Sequence, residues 1–153
     1  MRAGKWGIWL LGAVLIGALG AWWLLRPRPT DREQIERVVD QIEKGVESKR
    51  PGHVLGQISA DYHDSSGATK TDLRRLSLAL MRSEVSVEVT IDRFEFQVHG
   101  RDAEGTAEVG ILARGGGADV RASGPVRILF AKERKGWKVT SAEGWQAWAR
   151  DIY

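Results

Sequence analysis

The chain has 153 residues, a formal net charge of +3 and no cysteine. That length suffices for one domain plus a short anchor, and the missing cysteine excludes disulfides, thiolate metal sites and cysteine nucleophiles. Taking the flanking cations Arg2, Lys5, Arg26 and Arg28 from the 23 basic residues leaves 19 against 20 acidic ones in residues 29–153, a balance that argues against a nucleic-acid binder.

The first element is the uncharged run WGIWLLGAVLIGALGAWWLL, residues 6–25, from Trp6 to Leu25. At ~1.5 Å rise per residue its 20 residues span about 30 Å, the thickness of a bilayer's hydrocarbon core. Trp6 and Trp9 stand at one end and Trp22 and Trp23 at the other, where amphipathic rings favour the two interfaces. A cleaved signal peptide competes with this reading, since Ala18-Leu19-Gly20 offers small residues for cleavage. The run continues past that point, however, and exceeds the ~7–15 residues of a signal core. The expectation is an uncleaved single-pass anchor in the inner (cytoplasmic) membrane. A short N-terminal tail fits the N-terminus in the cytoplasm and the domain outside, which in a bacterium is the periplasm.

Arg26-Pro27-Arg28-Pro29 reads as a stiff linker. Thr30 and Glu33 then form a capping box before a helix that carries Ile35, Val38, Val39, Ile42 and Val46 on one face, to about Lys49. Pro51-Gly52 breaks it, and a shorter helix with Val54, Leu55 and Ile58 follows. A polar stretch from Ser59 to Gly67 leads to a third helix, capped by Thr69 or Thr71, with Leu73, Leu76, Leu80 and Met81 facing inward.

From Val85 the apolar period changes to two. Val85, Val87, Val89 and Ile91 alternate; then Phe94, Phe96 and Val98 take the opposite phase, which predicts a bulge near Asp92-Arg93. After a turn at His99-Gly100-Arg101-Asp102, the alternation resumes through Ala103, Gly105, Ala107, Val109, Ile111 and Ala113. Gly115-Gly116-Gly117 is a turn and not a phosphate cradle, because it lacks the phosphate-loop pattern and joins strands. Val120, Ala122, Val126, Ile128 and Phe130 mark another strand, with Gly124-Pro125 expected as a bulge or bend. Trp137 and Val139 follow the Arg134-Lys135-Gly136 turn, and Trp145 and Trp148 lie near the end. Helices in a run and then strands in a run argue α+β: an N-terminal membrane helix, then about three helices packed on a curved antiparallel sheet.

The soluble part resembles the nuclear transport factor 2-like (SnoaL-like) superfamily, as a membrane-anchored bacterial member. The resemblance rests on the long first helix with a broken second one, on Ile58-Ser59-x-Asp61-Tyr62-x-Asp64-x-x-Gly67-x-Thr69-Lys70, and on the strands ending in Gly136-Trp137-Lys138-Val139. It implies a cone-shaped domain over residues 31–153, after a tail and membrane helix (1–25) and a linker (26–30). It does not imply one function, because this fold hosts dehydratases, isomerases, ligand binders and assembly scaffolds. The topology is also similar, in architecture alone, to the inner-membrane scaffold component of type IV secretion systems.

Asp61, Tyr62, His63 and Asp64 form the densest set of acid/base groups. In enzymes resembling this fold the open end of the cone holds an Asp or His base with a Tyr or Asp donor. The plainer reading is that Asp64 caps the Ser65-Ser66-Gly67 turn and Tyr62 packs in the core. The histidines His53, His63 and His99 form no ligand pair. The expectation is therefore a membrane-tethered binding or assembly domain with no catalytic residues, cofactor or metal of its own, partnered by a second copy or by a membrane-complex protein. Tyr62, His63, Asp64 and Trp137 are the candidate ligand-binding residues. The alternative is a small lyase or isomerase, or a carrier of apolar ligands, using the cone.

Overall fold

A computed structural model describes residues 28–115 and 119–148. The expected membrane segment at 6–25, Gly116, Gly117 and the side chains of Met81 and Trp148 lie outside the described residues. Among the described residues, no helix is long and apolar enough to cross a membrane.

Helix α1 spans Asp31–Glu47. The Glu33 amide donates to Thr30 Oγ1 (3.3 Å), and the Thr30 amide donates to the Glu33 carboxylate (2.9 Å). Both halves of the expected capping box are thus present, each satisfying an amide that has no partner inside the helix. At the other end Lys49 adopts φ 51°. Its amide donates to the Val46 carbonyl and that of Arg50 to the Gly45 carbonyl, so a lysine holds a left-handed closing position that glycine usually takes. Pro51 opens α2 (Pro51–Gln57), where a missing N–H is no loss. Gly45 lets α2 press onto α1: a Cβ there would stand 2.7 Å from Val54 Cγ2. Helix α3 (Lys70–Arg82) starts from a second capping box, in which the Thr69 amide and hydroxyl both donate to Asp72 Oδ2 (2.9 and 2.7 Å).

Four strands follow: β1 (Ser86–His99), β2 (Asp102–Arg114), β3 (Val120–Glu133) and β4 (Gly136–Glu143). They form one antiparallel sheet in sequence order, and a short helix, α4 (Trp145–Trp148), ends the described chain. The expected bulge is present, since the β1–β2 register shifts between Asp92 and Glu95 and Arg93 adopts φ 49°. The extra residue moves Phe94 and Phe96 onto the face that Val89 and Ile91 occupy, and it bends the sheet.

The Gly124-Pro125 expectation is corrected. Pairing with β2 runs through both residues without a shift, Gly124 opposite Val109 and Pro125 opposite Glu108. Strand β4 ends opposite Arg127, so β3 is unpaired on that side at Pro125, and a missing N–H there breaks no ladder bond with β4. The second irregularity lies instead in the β3–β4 pairing, where Leu129 faces Ser141 and Phe130 faces Val139. Thr140 is the extra residue, and its carbonyl accepts the amide of His63 (3.1 Å).

The core sits at one end of the cone. Ile35, Val38, Val39, Phe130, Trp137 and Val139 are buried there, with Phe94 and Phe96 packed against them. The Phe94 and Phe96 rings stack at 5.0 Å, and Phe94 meets Phe130 edge-on at 6.1 Å. Gly105 makes room for this stack, because a Cβ there would stand 2.8 Å from the Phe94 ring. Burying each large apolar side chain contributes roughly 1.5–3 kcal/mol. Asp31, in the first turn of α1, locks this end by accepting from Trp137 Nε1 (3.0 Å) and Lys132 Nζ. These bonds hold its carboxyl below the ordinary carboxylate range, Lys132 contributing most. At the other end α3 packs on α2 but stands off the sheet.

Candidate functional site

The gap between α3 and the sheet is a cavity of about 680 Å³, within the ~300–1,000 Å³ typical of small-molecule sites. Val39, Ile42 and Val46 of α1 form one wall and Leu73, Leu76 and Leu80 of α3 a second. The strands contribute Val87, Val89, Ile91, Val109, Ile111 and Ala113, and Trp145 of α4 closes one side. The bulge in β1 divides the cone. Val87 and Val89 before it face open space; Phe94 and Phe96 after it fill the apex.

No charged side chain lines the cavity among the described residues, and Tyr62 and Ser83 supply its hydroxyls. Tyr62 is placed by the segment that runs beside β4. The Ser59 amide donates to the Val139 carbonyl (2.8 Å), the Ser59 hydroxyl to Glu133 (2.7 Å), and Lys70 Nζ to the Ile58 carbonyl (2.7 Å). These bonds set Tyr62 against the sheet at 4% exposure. Its hydroxyl accepts from the Ala142 backbone and donates to Asp64. Burial first, and the Asp64 charge second, push its pKa well above the ordinary tyrosine value.

Asp64 is 6% exposed. Its Oδ1 accepts from the Ser66 amide (2.9 Å), the Ser66 hydroxyl (2.6 Å) and the Ala68 amide (3.0 Å). This is the turn-capping arrangement that the sequence pattern predicts. His63 is exposed, with Nδ1 3.1 Å from the Asp61 carbonyl, and it is absent from the cavity lining. Trp137, 2% exposed, is buried in the apex and also off the lining. Of the four candidate residues, the structure therefore brings Tyr62 to the cavity wall with Asp64 behind it, and sets His63 and Trp137 elsewhere. Sequence reasoning missed the aliphatic lining. Its signal, alternating valines on β1 and β2, is the same one that a filled core gives.

Among the described residues, no group of three or more His, Cys, Asp or Glu side chains is arranged to hold a metal ion.

This architecture, a bent four-stranded sheet wrapped around helices with one open end, defines the nuclear transport factor 2-like fold. Solved structures share it. A candidate aromatic ring hydroxylase from Novosphingobium aromaticivorans superposes with TM-score 0.66 at 19% identity, covering 73% of this chain and 85% of that one. A candidate scytalone dehydratase from the same organism gives 0.65 at 15% identity, over 72% and 79%. A candidate dehydratase of the nuclear transport factor 2-like family from Streptomyces avermitilis gives 0.61 at 18% identity, over 73% and 93%. No family model matches the chain, and no curated protein matches it. At these identities the likeness establishes the fold, and function rests on the site itself.

Proposed function

We propose that the domain is a receptor for an apolar small molecule, held at a membrane by residues 6–25, and that it binds without transforming its ligand. The observation that carries this reading is the open cavity of about 680 Å³ with no charged side chain on its wall among the described residues. A cone built only as an assembly scaffold has no use for such a void, since an unfilled apolar interior forfeits dispersion contacts. Catalysis by proton transfer needs a group whose pKa lies near the working pH. Tyr62, the one titratable group on the lining among the described residues, is displaced away from it.

The test is binding of an environment-sensitive apolar dye to the full-length protein, beside Ile111→Trp, which puts an indole into the cavity. Saturable binding that Ile111→Trp abolishes is the expected result. Equal binding by both proteins, or none by either, overturns the proposal.

A lyase or isomerase is the second reading. It is favoured by the two solved structures described as candidate dehydratases and by the Tyr62 hydroxyl resting on Asp64 at the wall. In that case Tyr62 would be the proton donor. Tyr62→Phe would then remove turnover of a bound substrate while sparing its affinity, which a pure receptor cannot show.

A further inference from the structure

The cavity does not end at its apolar wall. At its rim the C-terminal end of α1 meets Ser77 and Leu80 of α3, and a smaller groove of about 70 Å³ opens there. Groove and cavity share Val46, Leu80, Val85 and Val87, so the two adjoin, and Lys49 and Arg50 line the groove next to the cavity. Neither cation forms an ion pair with a described residue, although Glu47 precedes Lys49 by two residues and Glu84 precedes the groove residue Val85. Lys49 also holds its left-handed turn position, φ 51°, where glycine would avoid the steric penalty.

An uncharged, apolar interior beside two exposed cations is complementary to a molecule with a long apolar part and one anionic end. The two lining hydroxyls do not contradict this, because the Tyr62 donor is already committed to Asp64 and that of Ser83 to the Leu80 carbonyl (2.8 Å). A ligand gains nothing from a polar group inside, and its charge belongs outside with Lys49 and Arg50.

We infer that the cavity holds the tail of an anionic single-chain amphiphile, with its carboxylate or phosphate head in the groove at Lys49 and Arg50. This inference rests on the receptor reading above and names the ligand class for the same site. Affinity then grows about fourfold for each methylene added until the cavity is full. The head contributes a smaller, salt-sensitive preference of about fivefold, because both cations are solvent-exposed.

The test compares dodecanoate, dodecyl phosphate and dodecanol on the full-length protein in phosphatidylcholine nanodiscs, with empty nanodiscs as the partition blank. The variant is Lys49→Gly combined with Arg50→Gln. Glycine suits the left-handed position, so this protein keeps its fold, and unchanged dodecanol binding confirms that. The expected result is tighter binding of both anions than of the alcohol, with the advantage lost in the variant and reduced by salt. Equal affinity of acid, phosphate and alcohol in the parent protein overturns the head-group inference and leaves the receptor reading standing. A preference that survives in the variant also overturns it. If none of the three binds, the receptor reading fails with it.

Discussion

The division of the cone into a filled apex and an open mouth makes a quantitative prediction. Ile35 is 0% exposed and packed among Trp137, Phe130 and Val139. Ile35→Ala therefore loses buried methyl and methylene groups and leaves a void that these large, mutually packed neighbours cannot fill. Substitutions of this kind cost roughly 2–5 kcal/mol, and the rigid surroundings place this one at about 3–4. Ile111 has the same side chain but is half-buried and faces the cavity. Much of its surface has no protein partner to lose, so Ile111→Ala costs about 1 kcal/mol. The reverse substitutions invert the contrast. Ala103→Ile overpacks the apex and costs about 1–3 kcal/mol, whereas Ile111→Trp enters free space and is neutral or stabilising. Urea unfolding of the full-length protein, fitted with a common slope, measures all four. Equal costs for the two alanine variants, within ~0.5 kcal/mol, or a strongly destabilised Ile111→Trp, would refute the claim that the mouth is unfilled.

Tyr62→Phe strips a hydroxyl from between the Ala142 backbone and Asp64 and lowers stability by about 1–2 kcal/mol, read by the same unfolding assay. It also changes the alkaline limb. A raised folded pKa means stability that is complete below the unfolded tyrosine value near 10.0 and is lost as pH rises toward the folded one. The parent protein therefore weakens above that pH through this group, and the phenylalanine variant does not. Asp31 works in the opposite sense: its lowered pKa contributes stability present above 3.8 and lost as pH falls through the folded value. Asp31→Asn should melt earlier than the parent at neutral pH and converge with it in acid. Arg93→Gly removes a non-glycine residue from φ 49° at the bulge and should raise stability by roughly 0.5–1 kcal/mol, the left-handed penalty less glycine's extra chain entropy, since its side chain is exposed. A loss would mean that the bulge depends on the arginine itself.

The elements set by near neighbours were legible in the sequence. A capping box needs residues only three apart, and Thr30–Glu33 closes as its spacing predicts; of the two threonines able to cap α3, the structure uses Thr69, paired with Asp72. The β1 bulge was visible as a phase slip between Ile91 and Phe94, because side chains alternate faces along any strand. Asp64 was readable as a turn cap for the same local reason. Pro125 was misread because its meaning depends on where another strand stops. Opposite a longer β4 it would break a ladder bond; past the end of this one it does not.

The sequence by itself determined the order of helices and strands, the caps, the bulge and the absence of cysteine chemistry, all of which depend on residue type and spacing along the chain. Only the tertiary structure decided that Phe94 and Phe96 fill the apex while Val87, Val89 and Ile111 face open space. It alone decided that Tyr62 reaches the cavity wall while His63 and Trp137 do not. The physical reason is that a valine facing a void and a valine facing a phenylalanine carry the same pattern. The difference lies in how far α3 stands from the sheet, and that distance is set by packing between elements remote in sequence.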